Sequence, residues 1–298
     1  MNTLDQCVKK LSLNSWQANL PSEQQAEATR ALEEGALLLL PELNFQLEDA
    51  ERYLISPDFS DKKAKNISYH SQTETLKGAQ GNAVDLERMQ RMLARFARQA
   101  RGLIENVLPH YSAKLQWGRT SYRPIEITDR KISYRKDDKR LHVDAFPASP
   151  NQGRRILRVF CNINPAGQPR VWRIGEPFEK VARRFLPHIP KPLPGSSRWL
   201  YYLKITKSLR TEYDHIMLQM HDRMKKDNHY QQNVAYTELA LPAGASWIVQ
   251  TDHVSHAALS GQHLLEQTFY LPVTAMQAQE HSPLRILERL AERTLVLA

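Results

Sequence analysis

The chain has 298 residues, 41% of them hydrophobic, and a formal net charge of +9 at pH 7. That length can bury a large core, and the basic balance predicts an acidic partner: nucleic acid, an anionic membrane surface, or a phosphorylated or carboxylated substrate. Two cysteines, Cys7 and Cys161, exclude a disulfide framework and a C-x-x-C zinc site and fit a reducing, cytoplasmic setting.

Met1 to Gln17 lacks the basic start and apolar stretch of a signal peptide. Residues 21–35 read as a helix, capped by Ser22 with Gln25 in an S-x-x-Q box and ended by Gly35. Ala36 to Leu40 reads as a buried strand, far short of the ~20 residues that span a bilayer. Residues 41–84 are polar and irregular and read as a long loop. Asp85 opens a strong helix in which Leu86, Met89, Leu93, Phe96, Ala100, Leu103 and Val107 recur at three- and four-residue steps. Its arginines, Arg88 to Arg101, form a solvated face or one drawn to an anionic surface.

From Leu115 the texture turns to short β-rich runs: Arg130 to Tyr134, Arg140 to Phe146, Ile156 to Ile163, Arg170 to Ile174, Trp247 to Leu259 and Leu264 to Val273. Many short strands with Gly, Pro, Asn and Asp turns predict a sandwich or barrel. An insertion, residues 180–235, contains a helix from Glu212 to Lys226 with the apolar stripe Tyr213, Ile216, Met217, Met220 and Met224. It carries Lys204, Lys207, Arg210, Arg223, Lys225 and Lys226. Ser282-Pro283 starts a last helix. The expected organisation is a single domain over 1–298: helical and loop residues 1–110, a core over 111–275 and a C-terminal helix over 276–298.

His142 and Asp144 stand two residues apart, so on a strand they point the same way. A further imidazole beside them completes a two-His, one-carboxylate face that suits non-haem Fe(II). His215, His253, His256 and His263 compete for that place. His253 and His256 have opposite strand parity; small residues follow His256 and leave room for a metal and a cosubstrate. His256 is the choice and His253 the fallback. A chelating 2-oxoglutarate would need an arginine fork for its far carboxylate. The strand after His256 offers only Glu266-Gln267-Thr268. Arg158, alone in the apolar run Ile156 to Phe160, is the better candidate, since a buried charge needs a partner. Arg123, Arg170 and Arg173, with Trp172, add positive charge nearby or lie on the surface.

Three segments resemble the Kdo hydroxylases: Arg140-Leu141-His142-Val143-Asp144-Ala145-Phe146, Arg158-Val159-Phe160-Cys161-Asn162-Ile163-Asn164-Pro165 and Pro169-Arg170-Val171-Trp172-Arg173-Ile174-Gly175-Glu176-Pro177-Phe178. Glu212-Tyr213-Asp214-His215 and Ser255-His256-Ala257 do so too. The resemblance implies an Fe(II)/2-oxoglutarate-dependent dioxygenase that uses O2 and hydroxylates C3 of a 3-deoxy-D-manno-oct-2-ulosonic acid (Kdo) unit on Kdo2-lipid A, giving Ko. It implies a mainly β fold with flanking α: a double-stranded β-helix (jelly roll, cupin-like) with outer helices. It implies iron ligands His142, Asp144 and His256, and cosubstrate contacts Arg123, Arg158, Arg170 and Trp172. The expected partner is Kdo2-lipid A or a related lipopolysaccharide precursor rather than nucleic acid, met at the cytoplasmic membrane face by peripheral contact. Two alternatives stay open: a 2-oxoglutarate oxygenase on another anionic substrate, and a non-catalytic glycan-binding jelly roll.

Overall fold

Apolar runs bounded by turn residues pair into two sheets in the computed structural model, which describes residues 7–61, 64, 66–127 and 133–296. The strands are β1 (Val8–Lys10), β2 (Leu37–Leu40), β3 (Ile67–His70), β4 (Thr75–Lys77), β5 (Gln116–Arg123), β6 (Arg155–Asn162), β7 (Arg170–Ile174), β8 (Thr237–Leu241), β9 (Ser246–Gln250), β10 (His256–Ser260) and β11 (Leu264–Leu271). Eight form one sheet in the order β1-β2-β9-β6-β11-β5-β3-β4, and β10-β7-β8 form the other. The helices are α1 (Ser22–Glu33), α2 (Ala83–Val107), α3 (Phe178–Phe185), α4 (Ser196–Tyr202), α5 (Glu212–Lys226), α6 (Asn228–Asn233) and α7 (Pro283–Ala291). None is long and apolar enough to cross a membrane.

Strand alternation decides what lies between the sheets. Leu157, Val159 and Cys161 of β6, Leu265 and Phe269 of β11 and Tyr122 of β5 join the core beneath α2, with Met89, Leu93 and Phe96. Phe96 meets Trp16 and Phe45 edge-on at 5.9 and 5.4 Å, which fastens the N-terminal segment to α2; each such pair contributes about 0.5–1.5 kcal/mol beyond its burial. The intervening residues face the small sheet. There Phe160 meets Trp172 at 5.2 Å and Trp172 meets Trp247 at 5.6 Å. A further core joins Leu141, Val143 and Ala257 to α3, α5 and α7.

Several local expectations change. α1 starts after Pro21, and Ser22 makes no capping bond. Residues 41–84 contain short 3-10 turns and the β3–β4 hairpin, which extends the large sheet from β5. α2 begins at Ala83: Asn82 accepts from the Asp85 backbone N–H and the Asp85 carboxylate accepts from that of Asn82. Arg140 to Phe146 is no regular strand. One antiparallel bridge joins His142 to His256, and Asp144 N–H donates to Thr251 O at 2.8 Å. Residues 130–132 of the run ending at Tyr134 lie outside the described residues; Tyr134 itself opens a 3-10 turn. A turn divides Trp247 to Leu259 into β9 and β10. The helix Glu212–Lys226 and its buried stripe are as read, as is the Ser282 cap, whose hydroxyl accepts from Arg285 N–H.

Candidate metal centre and cosubstrate pocket

The backbone ladder between residues 142 and 256 brings three side chains together. His142 N–H donates to His256 O at 3.0 Å, and His256 N–H returns a bond to His142 O at 2.9 Å. Asp144, one pleat on, turns to the same side. One ligand atom from each of His142, Asp144 and His256 lies within 4.8 Å of the other two. Both imidazoles are buried, with ring centroids 4.6 Å apart. His142 Nδ1 lies 2.7 Å from Arg140 O and His256 Nδ1 lies 2.8 Å from Val254 O. A carbonyl can only accept, so each Nδ1 carries the proton and each Nε2 keeps its lone pair. Burial depresses both imidazoles, His142 well below the usual range with help from His256, so both stay neutral ligands. Burial opposes the charge on Asp144, yet Arg158 and the imidazoles hold its carboxyl well below the usual range. Its Oδ2 is buried and is held by the Arg158 guanidinium, whose Nη2 lies 3.0 Å away. Two imidazole lone pairs and an ionised carboxylate, converging within 4.8 Å, are the donor set of a divalent metal.

Above this group the large sheet presents a row of charges. In the sheet order β11 lies between β6 and β5. Glu266 on β11 contacts Arg158 of β6 at 3.1 Å and Arg123 of β5 in a closer, forked pair. Arg158 also reaches Asp144, Nη2 to Oδ2 3.0 Å. Burial would raise the Glu266 carboxyl, but Arg123 and Arg158 pull it down to about 2. In the sequence alone Glu266 marks only the lack of a base after His256. Its signal was a lone charge in a strand, directly after Leu264-Leu265.

Arg170 differs from Arg158. It is buried on β7, and among the described residues it makes no ion pair. Its Nη1 donates to Gly261 O at 2.8 Å and its Nε has no partner. Burial and the neighbouring Arg123 lower it to about 10. Gly261 has φ +118°, and a Cβ there would come within 3.0 Å of the Arg170 backbone, so glycine lets this turn lie on the arginine. Trp172 stacks on His256 at 5.2 Å and 22°. Its Nε1 is buried and also unpartnered among the described residues.

Of the four expected cosubstrate contacts, Arg158 and Trp172 touch the triad directly, Arg123 is joined to Arg158 through Glu266, and Arg170 stands two residues before Trp172 on β7. Arg173, of opposite parity to Trp172, pairs with Glu238. The other candidate histidines lie elsewhere. His253 packs on Phe178 and Gly35, His263 bonds Tyr122 Oη at 2.7 Å, and His215 bonds Pro190 O. His221, not singled out from sequence, stands edge-on to His142 at 5.3 Å with Nδ1 on Asp222. A cavity of about 670 Å³ opens beside Arg158 and Phe146 and is lined by Arg119, Arg154 and Lys207.

Two facing sheets with a His-x-Asp pair and a distal His between them define a metal-binding jelly roll of the 2-oxoglutarate oxygenase kind. The model of the 3-deoxy-D-manno-oct-2-ulosonic acid (Kdo) hydroxylase family matches residues 15–294, and the chain belongs to that family. Among solved structures, the Kdo hydroxylase KdoO, a non-haem Fe(II) α-ketoglutarate-dependent dioxygenase, in complex with α-ketoglutarate and Fe(III), is 45% identical over 97% of both chains, with a TM-score of 0.94. Its cobalt(II) complex is 46% identical over 98% of both chains, TM-score 0.95. Its complex with succinate and Fe(III) gives 45%, 98% of both chains and 0.94. No curated protein matches the chain.

Proposed function

We propose that this chain is an Fe(II)/2-oxoglutarate-dependent dioxygenase that hydroxylates C3 of a Kdo unit in Kdo2-lipid A, or a related lipopolysaccharide precursor, to give Ko. The observation that carries the reading is the convergence of His142, Asp144 and His256, with their Nδ1 protons tied to carbonyls, in a chain of the Kdo hydroxylase family. Bound Fe(II), 2-oxoglutarate and O2 supply the oxidation that replaces a C–H bond by C–OH, with succinate and CO2 as coproducts.

The chain's own residues bind, orient and exclude water. His142, Asp144 and His256 hold the metal. Arg158 fixes the Asp144 carboxylate, and Trp172 fixes the plane of His256 by stacking. Arg170, a buried cation without an acidic partner among the described residues, receives the far carboxylate of the cosubstrate, with Arg123 beside it. The unpartnered Nε1–H of Trp172 is a further donor toward that group. Arg119, Arg154 and Lys207 turn positive charge into the cavity, where a sugar carboxylate or phosphate finds its counter-charge.

The test incubates purified, iron-loaded protein with 2-oxoglutarate and Kdo2-lipid A under air. We expect succinate release and a mass gain of one oxygen on the Kdo region. Release stimulated by nucleic acid but not by Kdo2-lipid A would overturn the substrate assignment; no iron and no oxygen uptake would overturn the enzyme itself.

A further inference from the structure

Ten large hydrophobic side chains are exposed among the described residues, and seven of them fall between Leu193 and Leu209. Leu193, Trp199, Tyr202 and Leu203 are 78, 69, 74 and 64% exposed. Residues 191–209 also carry Lys191, Arg198, Lys204 and Lys207 and no Asp or Glu. Lys191, Arg198 and Lys204 make no ion pair among the described residues.

The segment is not exposed because it lacks structure. Ile205 and Thr206 N–H groups donate to Leu200 O at 3.0 and 3.2 Å, Thr206 is buried, and Ser197 Oγ donates to Arg210 O at 2.7 Å. Lys207 N–H donates to Ala148 O at 2.9 Å and Arg210 Nη2 to Pro147 O at 2.8 Å. Those last bonds tie the segment to one wall of the cavity that reaches Arg158, and Lys207 and Ser208 line it.

We propose that residues 191–209 form a surface that lies in the interface of an anionic lipid layer and brings the mouth of the cavity against that layer. Tryptophan and tyrosine favour the headgroup level of a bilayer, and lysine and arginine are drawn to its negative charge. A protein partner is disfavoured, because protein interfaces are depleted in lysine. The proposal rests on the reading of a lipid-linked substrate and supplies how a chain with no spanning helix in its described residues reaches it.

Full-length protein is mixed with vesicles of phosphatidylcholine alone or of phosphatidylcholine with phosphatidylglycerol, at low and high salt, and binding is read by co-sedimentation. Four of the five tryptophans are buried or half-buried, so a blue shift of emission on binding reports Trp199. We expect binding to the anionic vesicles that weakens with salt, and a blue shift that Trp199→Phe abolishes while binding persists. Removing one charge weakens binding about fivefold, so K191Q/R198Q/K204Q together weaken it roughly a hundredfold. W199S/Y202S/L203S weakens it as well, and circular dichroism checks that both variants fold. Equal binding by wild type and variants, no preference for anionic vesicles, no binding, or concentration-dependent dimers that W199S/Y202S/L203S abolishes would each overturn the surface. Protein that binds vesicles but never oxidises a Kdo substrate would overturn the function and leave the surface standing. Turnover of a water-soluble Kdo glycan without vesicle binding would do the reverse.

Discussion

His256 and His253 are three residues apart, yet their rings meet different surroundings. His256 faces Asp144 and His142, while His253 packs against Phe178 with Gly35 beneath it. We expect His142→Ala, Asp144→Ala and His256→Ala each to abolish turnover and lower bound iron. His253→Ala keeps its iron and loses stability from a core cavity; metal analysis and thermal unfolding separate the two outcomes. The arginines divide in a similar way. Arg158 is shared by Asp144 and Glu266, so Arg158→Met strips a counter-charge from a metal ligand and weakens both iron and 2-oxoglutarate binding. Arg170→Met weakens 2-oxoglutarate alone. The loss of one charge-assisted bond is about 1.5–3 kcal/mol, or roughly a tenfold to hundredfold rise in the cosubstrate KM. Iron titration beside the KM measurement checks it: equal iron loss in both variants would refute the division. The triad was legible from the two-residue spacing of His142 and Asp144 and from the small residues that follow His256; parity did not decide between His256 and His253, because His253 lies in the turn between β9 and β10. Arg158 was legible as a charge among apolar neighbours. The place of Arg119 and Arg154 on the cavity wall was not, because that wall is assembled from strands and loops distant in sequence.

At the scale of elements, α1 is held from its C-terminal end. The buried Glu33 carboxylate accepts from Tyr111 Oη, from Gln277 N–H at 3.0 Å and from Ala278 N–H at 2.7 Å, and so joins α1 to the segment before α7. Burial would raise its carboxyl, but His110, Tyr111 and the two amides bring it below the ordinary value. Because the folded value is the lower one, the stabilisation is complete above the unfolded carboxyl value of about 4.3 and is lost as pH falls through the folded value. Glu33→Gln should reduce unfolding free energy at pH 7 by about 1–3 kcal/mol. Urea denaturation of both proteins should show that gap closing below about pH 4; a gap independent of pH would show that the charge is not what matters. Long amphipathic elements such as α2 and α5 were readable because one face must meet the core. β5 was not: Gln116, Trp117, Gly118, Arg119, Thr120 and Ser121 lack an apolar alternation, since one face of that strand is turned toward a polar cavity. The basic cluster expected on the insertion is smaller than it reads, because Lys225 is buried against Arg135 O. Long-range docking, which no local pattern encodes, decides that.

Across the whole molecule, the metal would fasten the small sheet and the 142–144 segment to one another. A ligand that binds only the folded state at a hundredfold its Kd adds about 2.7 kcal/mol to stability. Co(II) should therefore raise the denaturation midpoint of the wild type and leave that of His142→Ala unmoved. The charge row on the large sheet has a different consequence, for folding rather than catalysis. Side chains alternate along β11, so a one-residue slip against β6 and β5 would drive Glu266 into the apolar layer under α2 and turn Leu265 toward Arg158 and Arg123. The misaligned sheet would then contain a stranded carboxylate on one side and stranded guanidinium groups on the other. The same ions that frame the pocket thereby proofread the pairing of the three central strands.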